Sequence, residues 1–114
     1  MVDPAVVASV REYLKALIAN GFEPSFSVLF GSQVKGKVHQ WSDIDLVVVS
    51  NRFDEDYDHE EVSLLWGTAA LNDSRIEPIP CGVKQWEVDD GTPILEVARQ
   101  EGVIIRLEDD EDCA

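Results

Sequence analysis

Basic residues are scarce in this chain: nine Lys and Arg stand against 23 Asp and Glu, a formal net charge of −14 over 114 residues. That balance repels a polyanion at physiological salt and argues against stable binding to DNA or RNA. It suits a basic protein partner or a site that gathers metal cations, although acidic surfaces also serve solubility alone. Cysteine is nearly absent. Cys81 and Cys113 have no second Cys-x-x-Cys pair and no clustered histidine, so neither a disulfide framework nor a zinc site is indicated. No apolar run approaches the ~20 residues that span a bilayer, and the opening MVDPAVVASVREYL carries charges where a signal peptide is uniformly apolar. No membrane association is expected, and the expected location is the cytoplasm. There is no internal repeat, and the length suits one compact domain with a modest core.

What is present reads as alternating helices and strands. Asp3 can cap a helix over residues 3–20, with Pro4 in its first turn and Val6, Val7, Val10, Leu14, Leu17 and Ile18 at helical spacing. Gly21 supplies its stop. The run FSVLF, Phe26 to Phe30, is short and rich in strand formers and reads as a buried strand ending at Gly31. A polar stretch with room for one short helix follows. DIDLVVV, residues 43–49, is a second strand, with Asp43, Asp45 and Val47 facing one way and Ile44, Leu46 and Val48 the other. A charged loop from Asn51 to Glu61 feeds a helix over residues 59–71 with Val62, Leu65, Trp66 and Ala69 as its buried stripe. Arg75 to Ile79 reads as a third strand cut short by Pro78 and Pro80, which suit an edge or a strand end better than a sheet centre. Thr92 can cap a helix from Pro93 to about Gln100, Gly102 ends it, and VIIRL is a last strand. Residues 1–107 are expected to fold as one domain, and EDDEDCA, residues 108–114, to be a disordered acidic tail. The expected class is α/β (α+β): a small mixed sheet with the site at one edge and helices packed on the opposite face.

One constellation carries chemistry. Gly31 and Ser32 close the first strand and, ten residues later, Asp43 and Asp45 open the second. Without a side chain, Gly31 lets a phosphate approach the backbone, and Ser32 offers a hydroxyl at the start of a segment whose amides could cradle anionic oxygens. The two-residue strand period sets both aspartates on one face, where they can ligate hard cations such as Mg²⁺ or Mn²⁺. Close carboxylates resist joint ionisation unless a cation lies between them. A pair of ions serving an in-line displacement needs a third carboxylate. Glu77, in RIEPI, is the candidate because its strand could lie beside the Asp-x-Asp strand; Asp73 is the alternative.

GSQVKGKVHQWSDIDLVVVS resembles the GS-x10-DxD signature of the DNA polymerase beta-like nucleotidyltransferase superfamily. Over roughly residues 5–106, the size and the order of elements resemble its minimal nucleotidyltransferase family. The resemblance implies that Gly31 and Ser32 grip the triphosphate of ATP, that Asp43 and Asp45 hold two Mg²⁺ ions, and that Glu77 acts with them as ligand or base. Many relatives carry Asp where Glu77 stands. Ser42 matches the family's Ser-Asp pair, and Lys35 followed by Gly36 matches a basic residue before glycine, placing Lys35 to meet a phosphate. By the same resemblance the reaction is AMP transfer with release of pyrophosphate, and the partner is a small helical HEPN-type toxin silenced by its antitoxin. Two rivals remain: an antitoxin or regulatory subunit that acts by contact alone, with any nucleotide as a structural ligand, and transfer to a small molecule such as an aminoglycoside, with a homo-oligomer supplying the other wall of the cleft.

Other clusters read as structure or surface. Asp54, Asp56 and Asp58 imitate the start of an EF-hand loop, but its sixth position would be His59 rather than Gly and its twelfth Leu65 rather than Glu. His39 and His59 read as surface residues. Trp41, Trp66 and Trp86 read as core or contact aromatics, Trp41 alone lying close enough to the signature to touch a nucleotide.

Overall fold

The computed structural model describes residues 2–35, 42–55, 59–88 and 91–107. The expected tail at 108–114, and with it Cys113, lies outside the described residues, as do Gly36, His39, Trp41, Asp56 and Asp58.

Helix α1, Pro4–Ala19, begins as its sequence dictates: the Asp3 carboxylate accepts from the Ala5 amide at 2.9 Å. It ends at Gly21, whose φ of +87° is the left-handed conformation glycine adopts freely. The Phe22 amide then donates back to the Leu17 carbonyl. Val6, Val10, Tyr13, Leu14 and Leu17 are buried, and the Tyr13 hydroxyl donates to the Leu65 carbonyl at 3.0 Å. Ile18, expected in the stripe, is 46% exposed.

Strand β1 is Phe26–Phe30, α2 is Ser32–Lys35, β2 is Ile44–Val49, α3 is His59–Asn72, β3 is Ile76–Cys81, α4 is Val83–Val88, α5 is Pro93–Glu101 and β4 is Val103–Ile105. The sheet order is β3-β2-β1-β4; β2 and β3 are parallel, while β1 runs antiparallel to both β2 and β4. The expected mixed sheet and α/β class hold. The third strand runs past both prolines as an edge strand. Odd-numbered residues of β3 turn their carbonyls to β2, with Ile44 N–H donating to Arg75 and Ser50 N–H to Cys81, so Pro78 and Pro80 direct their missing donors outward, where nothing is lost.

Helices cover both faces rather than one, because both faces are apolar along most of their length. Leu29, Ile44, Leu46, Val48, Ile76 and Ile105 pack with α1 and α3. On the other face Val28, Phe30, Val47, Val49 and Cys81 pack with Leu95 and Ala98 of α5 and with Trp86 of α4. The carboxylate face is therefore polar only at its Asp43–Asp45 end.

Two further expectations fail locally. Trp66 is 47% exposed, because α3 turns Leu65, Thr68 and Ala69 inward and Trp66 lies about 100° further round. Thr92 precedes α5 but makes no side-chain capping hydrogen bond. A 3₁₀ turn at Asn51–Phe53 and helix α4 stand where the sequence pattern predicts no helix. Ser50 caps the former. Helix α4 buries no residue of its own and is held from outside: the Asp54 carboxylate accepts from the Lys84 amide at 2.8 Å, and the Arg99 guanidinium donates to the Gln85 and Trp86 carbonyls while lying over the Trp86 ring.

Candidate active site

The ends of three segments converge at one end of the sheet. Asp45 lies opposite Phe30 on β1 and opposite Glu77 on β3, so the carboxylates of neighbouring parallel strands share a face. Asp43 precedes β2 by one residue, and the strand period sets it on the same face as Asp45. Gly31 follows Phe30 directly, with φ +80°. A β-carbon there would collide with Asp45 Oδ2, so the bare backbone allows the aspartate its position.

The acids are crowded. Burial, then the charge of Asp43, holds the Asp45 carboxyl above the ordinary aspartate range. Glu77 is raised above the glutamate range first by a hydrogen bond shared with Asp43, then by burial and by the charges of Asp43 and Asp45. All three are hard oxygen donors, and a divalent cation would relieve their repulsion, so the donor chemistry fits Mg²⁺ or Mn²⁺. Among the described residues no three Asp, Glu, His or Cys are already spaced around one ion, so a shared ion would require the carboxyls to turn toward a common centre.

Asp73 is placed differently. Its two oxygens accept from the Arg75 guanidinium at 3.0 and 2.8 Å, and Oδ1 also accepts from the Arg75 amide, in the turn before β3. That bond holds its carboxyl below the usual range. Arg75 in turn offers its carbonyl to the Ile44 amide at 2.8 Å, so Asp73 anchors the strand that carries Glu77.

On the other side, Val34 and Lys35 donate their amides to the Gly31 carbonyl. The amides of Ser32 and Gln33 thus precede the first helical bond of α2. The Lys35 ammonium is exposed and stands 3.6 Å from Glu101 at the end of α5. Ser42 is partly buried beside Asp43.

Gln33 joins the site without any signal in the sequence. This side chain is 3% exposed, and its Nε2 donates to the Ser42 and Asp43 carbonyls at 3.3 and 3.2 Å. A glutamine in a polar stretch is indistinguishable from a solvated one until the fold buries it.

A family model described as a nucleotidyltransferase domain matches residues 8–108. The chain belongs to the nucleotidyltransferase domain family. No curated protein matches it. Among solved structures, this nucleotidyltransferase domain is similar in fold to a protein assigned as a nucleotidyltransferase from Sulfolobus solfataricus. The two are 16% identical with a TM-score of 0.59, over 86% of this chain and 77% of the other. It is similar in fold also to a chain of a toxin–antitoxin structure with AMP-PNP, at 21% identity and a TM-score of 0.57, over 89% and 77% of the two chains. Among its described residues, no helix of the nucleotidyltransferase domain is long and apolar enough to cross a membrane.

Proposed function

We propose that the domain transfers AMP from ATP to a hydroxyl of a partner protein and, as the antitoxin of a pair, silences a HEPN-type toxin by that modification. The observation that carries this reading is the registry of Asp45 with Glu77 across β2 and β3, with Gly31 against Asp45. The fold-similar chain from a toxin–antitoxin structure with AMP-PNP supports a toxin as the partner and ATP as the donor.

Asp43, Asp45 and Glu77 would hold two Mg²⁺ ions, with Mn²⁺ as a substitute. When bound, the ions would neutralise triphosphate charge and lower the cost of ionising the acceptor. The chain's own residues do the rest. Gly31 admits a phosphate to the backbone, the Ser32 hydroxyl and the leading amides of α2 donate to its oxygens, and Lys35 exchanges Glu101 for a phosphate. Ser42 lies next to Asp43, where it can steady the same group. The acceptor oxygen attacks the α-phosphorus as the bond to the bridging oxygen breaks, and pyrophosphate leaves with that electron pair. Glu77 serves as ligand or as the base whose carboxylate takes the acceptor's proton.

The test is transfer of label from α-labelled ATP to protein with Mg²⁺, in host lysate and with the encoded partner. Wild type should label one acceptor, and Asp43→Asn/Asp45→Asn should label none while remaining folded. No label together with no Mg·ATP binding by calorimetry would overturn the reading.

A second reading has the domain neutralise its partner by contact, with any nucleotide a structural ligand. In that case Asp43→Asn protects the partner as well as wild type does.

A further inference from the structure

We propose that Gln33 is a positioning residue that couples the triphosphate-gripping turn to the cation-holding carboxylates; the inference rests on the nucleotidyl-transfer reading above. Gln33 follows Gly31 and Ser32 in α2, yet its side chain leaves that segment and ends on the approach to β2. Its amide nitrogen donates to two consecutive carbonyls, Ser42 at 3.3 Å and Asp43 at 3.2 Å. The side chain is buried, so these bonds are partly shielded from water, and removing the donor gives up both of them.

Asp43 is consequently held from two directions. Gln33 takes its carbonyl, and the following amide, Ile44, donates to the Arg75 carbonyl at 2.8 Å, in the turn before β3. Asp43 itself is exposed, and as the residue before β2 it lies outside the ladder that orders Asp45. Gly31 meets Asp45 directly, whereas Gln33 is the tie between the same turn and Asp43. A phosphate that settles on Gly31 and Ser32 orders α2, and through Gln33 that order reaches the backbone of the first aspartate. By linkage, cation binding at Asp43 should in return improve triphosphate binding at α2.

The experiment measures ATP affinity by calorimetry in Mg²⁺ and in EDTA, with thermal unfolding of each variant in parallel. Gln33→Met keeps the length and volume and removes the donors; Gln33→Asn keeps the donors but withdraws them by one methylene, which guards against a Met variant that fails to fold. The expected result is an affinity in EDTA close to that of wild type and a loss of about tenfold in the Mg²⁺-dependent gain. Transfer activity should fall in kcat more than in KM. A role in stability alone would lower Tm and leave the Mg²⁺-dependent gain intact, and that outcome overturns the proposal while the nucleotidyl-transfer reading stands. If wild type shows no ATP affinity in either buffer, both are overturned.

Discussion

Asp45 and Glu77 are direct neighbours across the parallel β2–β3 pair, on the face where Asp43 also stands. Like charges so placed oppose folding until a cation lies among them. Glu77→Gln is therefore expected to raise the melting temperature without divalent ions and to diminish the further rise that Mg²⁺ produces in wild type. A ligand at a hundredfold excess over its Kd stabilises the state that binds it by about 2.7 kcal/mol, an effect readily seen in thermal scans with and without EDTA. A variant less stable in EDTA and equally responsive to Mg²⁺ would remove Glu77 from the ion-binding set.

Gly31→Ala tests two constraints at once. The left-handed conformation costs a non-glycine residue about 1–2 kcal/mol, and the new methyl would press on the Asp45 carboxylate. Both stability and Mg·ATP affinity should fall. Gly21→Ala is the control: its φ is also positive, but open space surrounds the site, so only stability should suffer.

The Asp73–Arg75 pair sets an acid dependence. Because folding lowers the Asp73 pKa, its contribution is fully present above the ordinary value of 3.8 and is lost as pH falls through the lower folded value. Asp73→Asn should destabilise the domain at neutral pH by about 1 kcal/mol and flatten the acid limb of a stability-against-pH curve. A variant curve parallel to wild type would show that the pair contributes nothing to that limb.

Gly67 lies within α3, exposed, and a β-carbon there meets nothing within 4 Å. Gly67→Ala should stabilise the domain by about 0.5–1 kcal/mol through helix propensity. Denaturant midpoints should rise with an unchanged slope.

The sequence by itself determined the parts whose physics is local. Asp3 and Pro4 open a helix, Gly21 ends it, FSVLF and DIDLVVV are strands, and the two-residue period sets Asp43 and Asp45 on one face. The tertiary structure decided what depends on partners far along the chain. Parallel pairing put Glu77 beside Asp45, while Asp73 went to Arg75, a choice that spacing left open because Glu77 lies within the short strand and Asp73 just before it. Pro78 and Pro80 could remain within β3 because, among the described residues, no strand pairs with its other edge, and Trp66 turned outward because α1 and the sheet claimed a different stripe of α3. Helix α4 exists through Asp54 and Arg99, each distant in sequence, and Gln33 became part of the site only when the fold closed over it. Backbone conformation and side-chain period are properties of neighbouring residues and can be read along the chain; burial and the partners of a polar group are properties of the packed whole.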